Sequence, residues 1–339
     1  MEDVLAALTR PVRLLAAGGT IAMRGQRAVP ALDAAALVAQ LPQLAAVPAL
    51  EAETVLGLPG VQIALDQALE LGRRARDAAA GGEGVVITTG TDTLEEIAVL
   101  CALLHGADSP IVVTGANRPA SSPGADGPAN LLDAVALAGS QAASGLGTVV
   151  AFGGEIHDAM TVRKLDSTGP TAFGSPLVGP LGRIVEARVW LHARPIRPPT
   201  LEPTRLTHRV EIVTASLGDD GASLRHAADR GDGVVVVALG AGHLPPAALH
   251  ELRTVATRLP VVITCRPERP SMMFGTYGFE GAERDLRASG AICAPFLSAA
   301  AARIALLCCL GAGLDRDAIS ATLAHWDAHA DGSSGPSIS

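Results

Sequence analysis

Side chains able to do chemistry cluster where apolar runs of this 339-residue chain end. Ala17-Gly18-Gly19-Thr20-Ile21-Ala22 closes one run with two glycines, which permit a tight turn and leave the Thr20 hydroxyl at the end of a strand. Thr88-Thr89-Gly90-Thr91-Asp92-Thr93-Leu94-Glu95-Glu96 closes another. Its simplest use is helix capping, with Asp92 or Thr93 as N-cap and Glu95 or Glu96 completing a capping box. Capping occupies one hydroxyl or carboxylate and leaves several more at the same edge, a concentration that favours a bound ligand. Thr114-Gly115-Ala116-Asn117-Arg118-Pro119 runs on through Ser121, Ser122 and Asp126 to Gly127-Pro128-Ala129-Asn130. A loop of that length between strand and helix is more often functional than idle, and Arg118 either binds a carboxylate or tethers it. The last cluster is Gly153-Gly154-Glu155-Ile156-His157-Asp158-Ala159, leading to Val162-Arg163-Lys164-Leu165.

Lys164 is the only lysine in the chain, whereas arginine occurs 25 times. A lone lysine is ordinarily a solvated surface residue. Here a position needing charge alone would tolerate arginine, while one that must lose and regain a proton would not, because a guanidinium stays protonated and a buried ammonium can release its proton. Lys164 is therefore a candidate proton carrier, and beside a hydroxyl it can act as general base for a threonine nucleophile.

Alternating strand and helix signals supply the frame for these groups. Short apolar runs at 12–17, 85–88, 110–114 and 147–152, then at 210–215, 234–239 and 260–264, read as strands. Helical periodicity covers 31–41, 65–80, 93–105 and 127–140, then 222–230, 246–258, 280–289 and 298–311. The alternation predicts an α/β fold, with a larger N-terminal parallel-sheet domain over residues 1–190 and a smaller C-terminal α/β domain over 211–330. Residues 191–210 form a proline-rich linker, since Pro195, Pro198, Pro199 and Pro203 fix φ and remove donors. Residues 331–339 are small and polar and read as a flexible tail. In an open parallel sheet, ligands bind beyond the carboxyl ends of the strands, which is where the clusters above fall.

Composition removes several classes of function. The net charge is −8 with scattered arginines, which argues against nucleic acid as a partner. No stretch approaches the roughly 18 apolar residues of a membrane span. Met1-Glu2-Asp3-Val4 lacks a basic leader region. The five cysteines show no CxxC pairing and read as buried reduced thiols. The expectation is a cytoplasmic protein with a small-molecule substrate and no membrane contact.

Taken together, Leu15–Ala22, Thr89–Glu96, Val113–Pro119 with Ala125–Pro128, and Glu155–His157 leading to Lys164 resemble the bacterial-type L-asparaginase family. Gly240–Pro245 and Gly290–Ile292 before Leu297-Ser298 resemble its smaller domain. The resemblance implies an amidohydrolase that converts L-asparagine to L-aspartate and ammonia through an acyl-enzyme on Thr20. Thr91, Lys164 and Asp92 would form the relay, with Asp92 also receiving the substrate's α-ammonium. Backbone N–H groups near Thr91 and Ala116 would stabilise the oxyanion. It further implies no metal or other cofactor, and a homodimer or homotetramer in which a neighbour's small domain completes the site.

The sequence also departs from that pattern. The stretch after the nucleophile, Met23-Arg24-Gly25-Gln26-Arg27-Ala28-Val29-Pro30, has no lid tyrosine, and the lone tyrosine, Tyr277, lies far away. The turn expected to grip the α-carboxylate reads Leu56-Gly57-Leu58-Pro59-Gly60-Val61-Gln62, leaving Gly60, Val61 and Gln62 as donors. His243 stands where an asparagine is usual, and Glu268 and Glu280 are candidates for the cross-subunit acid. A carboxylate buried without partners costs several kcal/mol. The departures therefore support an alternative in which the relay acts on a different amide or ester, such as a modified amino acid. A non-catalytic binding protein on the same fold is a third reading.

Overall fold

The computed structural model describes residues 1–25 and 29–325. The expected tail, 331–339, lies outside the described residues, as do Gln26, Arg27 and Ala28. The chain divides into two compact units between Thr200 and Leu201.

The first unit runs α1 (Glu2–Ala6), β1 (Val12–Gly18), β2 (Met23–Arg24), β3 (Val29–Pro30), α2 (Ala34–Ala39), β4 (Leu50–Leu58), α3 (Leu65–Ala80), β5 (Gly84–Thr88), α4 (Leu94–Leu104), β6 (Ile111–Thr114), α5 (Gly127–Gly139), β7 (Thr148–Phe152), β8 (Glu155–Asp158), β9 (Arg163–Lys164), β10 (Phe173–Gly174), β11 (Gly182–Val185) and β12 (Arg188–Leu191). Eight of these strands form one sheet in the order β12-β11-β8-β7-β6-β5-β1-β4. Pairing is parallel from β7 to β4 and antiparallel from β7 to β12. β5, β6 and β7 are buried at every position, as sheets covered on both faces require. Leu14, Ala16, Val86, Val112 and Val149 share one core with α5 residues Leu131, Ala134 and Val135, and alternate residues point to the opposite face.

The strand order also fixes where a ligand can bind. From β1 the chain crosses to β4 on one side, whereas from β5 it proceeds to β6 on the other. Between β1 and β5 the connections diverge and open a crevice at the strand ends, the switch point of an open α/β sheet. Thr20 follows β1, and Thr91 follows β5.

The second unit stacks a four-stranded parallel sheet, β13 (Val210–Thr214), β14 (Gly233–Ala238), β15 (Val261–Cys265) and β16 (Ile292–Cys293), with α6 (Ala222–Arg230), α7 (Pro246–Ala256), α8 (Glu283–Arg287), α9 (Ala299–Gly311) and α10 (Arg316–Leu323). Its core joins Val234, Val236 and Ile263 to Leu249, Leu252 and Leu286. No described helix is long and apolar enough to cross a membrane. The five cysteines form no disulfide, and burial pushes the Cys101 thiol up to about 12.

Helices α3 and α6 occupy the expected ranges. The helix expected over 31–41 shortens to α2, whose start is set by Asp33 as N-cap, its carboxylate accepting from Ala36 N–H at 2.7 Å. Strand β4 has no counterpart in the apolar runs. It is an edge strand, largely exposed, so its sequence need not be apolar.

Candidate active site

Four glycines bring the strand exits together. Gly18 and Gly19 have φ of 105° and 80°, a region that favours glycine. A Cβ on Gly19 would lie 2.3 Å from the Gly90 nitrogen, and one on Gly90 would lie 2.6 Å from the Gly60 nitrogen. The turns after β1, β4 and β5 thus meet backbone to backbone, a closeness any side chain would prevent. Gly19 N–H donates to Leu58 O at 2.9 Å, joining the turn to the end of β4. Thr20 begins a single 3₁₀ turn, half-buried beside this junction.

Thr91 is buried, and its hydroxyl receives a hydrogen bond from Lys164 Nζ at 2.9 Å. The same amine lies 2.9 Å from Asp92 Oδ1. Residues more than 70 apart in sequence therefore form a hydroxyl–amine–carboxylate triplet, with the lysine side chain 21% exposed and Asp92 64% exposed. Asp92 stands open to solvent, where it can meet a charged group on a ligand.

The expected capping of α4 is corrected by this arrangement. Thr93 makes no side-chain cap; its hydroxyl donates to Gly60 O at 3.2 Å. Asp92 is engaged by Lys164, and Glu95 Oε2 accepts the Lys164 backbone N–H at 2.8 Å. The side chains that could have capped the helix gather neighbouring segments instead. Burial raises the Glu95 carboxyl above its ordinary range, with Glu96 adding to the rise and the Lys164 N–H opposing it.

The third exit is braced by Asp126, whose carboxylate accepts the N–H groups of Asn117 at 3.0 Å and Arg118 at 2.8 Å. Asn130 donates to Gly115 O at 3.0 Å and accepts from Gly153 N–H at 3.0 Å, linking the exits of β6 and β7. Ala116 is fully buried in this turn. Of the two roles open to Arg118, the structure favours the tether: it is exposed, with Nη1 3.4 Å from Gly124 O. Asp158 shapes the turn before Lys164, accepting from Met160 N–H at 3.1 Å and the Thr161 hydroxyl at 3.3 Å. Burial pushes its carboxyl up to about 6 despite those two donors. Sequence reasoning did not single out Asp158 or Asn130; the signal for Asn130 is a polar residue in the otherwise apolar first turn of α5, whereas Asp158 ends a strand that is mostly polar, Glu155-Ile156-His157-Asp158.

Comparison with known proteins gives the family. Residues 11–197 match the family profile described as asparaginase, N-terminal, and residues 209–323 match the glutaminase/asparaginase C-terminal domain. The chain belongs to the asparaginase family. A probable L-asparaginase of Deinococcus radiodurans is 39% identical over 315 residues, covering 90% of this chain and 94% of that one. L-asparaginase 2 of Escherichia coli is 32% identical over 265 residues, 74% of this chain and 76% of the relative. Among solved structures, a probable cytoplasmic L-asparaginase from Campylobacter jejuni superposes with a TM-score of 0.83 at 29% identity, covering 93% of this chain and 99% of that one.

The remaining expected site residues have these local settings. Gly60 is buried at the β1–β4–β5 junction, while Gln62 is exposed on the 3₁₀ turn that follows β4. His243 belongs to the second unit, where its ring meets Tyr277 and Phe279 edge-on at centroid distances of 5.1 and 5.2 Å. Its Nε2 lies 3.5 Å from Glu283 Oε2. Glu283 is fully covered, and the Tyr277 backbone N–H, 2.9 Å from Oε1, is the main cause holding its carboxyl below the usual range. Glu268 and Glu280 are both exposed. Among the described residues no group of three or more His, Cys, Asp or Glu is placed to hold a metal ion.

Proposed function

We propose that this asparaginase-family chain hydrolyses the side-chain amide of L-asparagine to L-aspartate and ammonia through an acyl-enzyme on Thr20. The observation that carries the reading is the Lys164 amine, 2.9 Å from both Thr91 Oγ1 and Asp92 Oδ1, at the sheet's switch point. Thr20 Oγ attacks the amide carbon, and its hydroxyl proton is passed on to the departing nitrogen as the C–N bond breaks, releasing ammonia and leaving the acyl ester. Thr91 then activates the water that cleaves the ester, passing its proton toward Lys164, while Asp92 holds the amine in place and receives the substrate's α-ammonium. Donors preset around the developing oxyanion, for which the turns at Thr91 and Ala116 are the candidates, contribute about 3 kcal/mol each in such sites.

The end of β4 favours a second reading on a specific ground. Pro59 has no N–H to give a carboxylate and the Gln62 N–H is spent on Pro59 O at 2.9 Å, which leaves the backbone N–H groups of Gly60 and Val61 as the donors of this turn. An amide without a free α-carboxylate, or a related ester, would suit such a turn. One experiment separates the two: ammonia release from L-Asn, L-Gln, D-Asn and N-capped or C-amidated asparagine, with Thr20→Ala as the inactive control. L-Asn as best substrate supports the first reading, a capped amide the second, and turnover by Thr20→Ala removes the acyl-enzyme. The family resemblance also favours a homodimer or homotetramer, which light scattering on the purified chain tests, and the Campylobacter jejuni neighbour, named a probable cytoplasmic L-asparaginase, supports the cytoplasm.

A further inference from the structure

Lys164 reaches Thr91 from a strand of two residues that pairs only with another of two, Phe173–Gly174. Such a short ladder lies outside the eight-stranded sheet and cannot by itself fix the height of the amine to a fraction of an ångström. The tether that ties it to the site is a side chain, Glu95 Oε2, 2.8 Å from the Lys164 backbone nitrogen. Glu95 sits in the first turn of α4, two residues past Thr93 and three past Asp92. One helical turn therefore holds the tether of the lysine backbone and follows directly on both partners of its amine.

The alternative use of Glu95, a first-turn acid facing the helix dipole, requires no contact with Lys164. The geometry exceeds that use, because the carboxylate is half-buried and directed at a backbone N–H 69 residues away in sequence. Hydrogen bonds to a charged acceptor are about twice as strong as neutral ones. The other anchor, the Asp92 pair, has its carboxylate 64% exposed and is screened by solvent. Without Glu95 the amine could follow Asp92 outward. The charged groups acting on Glu95 are Glu96, Arg163 and Lys164.

We propose that Glu95 is a positioning residue of the relay, holding the Lys164 amine between Thr91 and Asp92 by accepting the lysine's backbone N–H. The proposal rests on the reading of Lys164 as proton carrier. Its test uses the fact that the chain has one lysine: lysine labelled with ¹³C at Cε gives a single side-chain resonance that reports this amine. In Glu95→Ala that resonance moves to the position of a freely solvated lysine, kcat for ammonia release from L-Asn falls about 100-fold, and KM stays within about threefold. Glu95→Asp keeps the charge and the helical turn but is one methylene too short, so it behaves like Glu95→Ala. Glu95→Gln, whose carbonyl oxygen accepts the same N–H, keeps the wild-type resonance and loses at most about fivefold in kcat. Wild-type resonance and turnover in both Glu95→Ala and Glu95→Asp overturn the proposal. So does a Glu95→Gln as inactive as Glu95→Ala with its resonance unmoved, which would assign the effect to charge. Full activity in Lys164→Arg defeats the relay instead, and the resonance still reports whether Glu95 places the amine.

Discussion

Replacing Lys164 by arginine separates charge from proton exchange at one position. The variant keeps a positive group beside Asp92 but cannot release a proton near neutral pH. Nor can the longer side chain retreat, because the Lys164 backbone nitrogen is held 2.8 Å from Glu95 Oε2. The guanidinium must pass Thr91 and settle against Asp92. A positioned general base contributes about 10²–10⁴ in rate, so kcat should fall by about that factor, equivalent to about 2.7–5.4 kcal/mol of barrier. Stability should change little: the Lys164–Asp92 pair is 2.9 Å long but has its carboxylate 64% exposed, and such pairs contribute at most about 1 kcal/mol. Steady-state ammonia release and urea unfolding on the same preparation measure both quantities. Retention of more than about a tenth of wild-type kcat would refute the proton-carrier argument. A loss of stability as large as the rise in the barrier would equally refute it, since the effect would then be structural.

Gly19→Ala places a Cβ 2.3 Å from the Gly90 nitrogen at a φ of 80°; overpacking and left-handed strain together should lower unfolding free energy by about 2–5 kcal/mol, read from the urea midpoint. Asp158 holds its proton up to about pH 6 when folded and releases it near pH 4 when unfolded. The native state thus binds the extra proton between those values, and stability rises as pH falls through that window. Relative to Asp158→Asn, the wild type should gain up to about 3 kcal/mol between pH 7 and pH 4; parallel pH–stability curves for the two proteins would contradict this. Glu186 is exposed at φ 51° in the turn between β11 and β12, so Glu186→Gly should raise stability by about 1 kcal/mol in the same unfolding assay, with ammonia release unchanged.

How much of this was legible in the sequence depended on whether a residue's role is set locally. Helix α3 emerges at its expected bounds because its apolar stripe, Ala68, Leu69, Leu71, Gly72 and Ala75, is a local pattern. The inner strands were visible for the same reason. Edge strand β4 was not, since exposure on an edge releases it from the apolar requirement. The turn from Asp92 to Glu96 shows the limit most clearly. Read locally, its acids and hydroxyls are capping groups, and only the return of the chain at Lys164 gives Asp92 and Glu95 a different partner. Glu283 escaped notice because its partners, the Tyr277 N–H and the His243 ring, depend on the path of a loop without periodicity.

A chain with a single lysine has a chemical property of its own. Amine-directed reagents, among them activated esters, aldehydes with hydride and isothiocyanates, ordinarily scatter over a protein surface. Here they find the α-amino group and Lys164, whose side chain is 21% exposed and hydrogen-bonded to Thr91 and Asp92. Coupling to a resin or a polymer by lysine chemistry would therefore join the protein at its terminus or strike the proposed relay. The same circumstance allows a label for the proposed relay that needs no substrate analogue and reads occupancy by mass as one adduct per chain beyond that on the α-amino group.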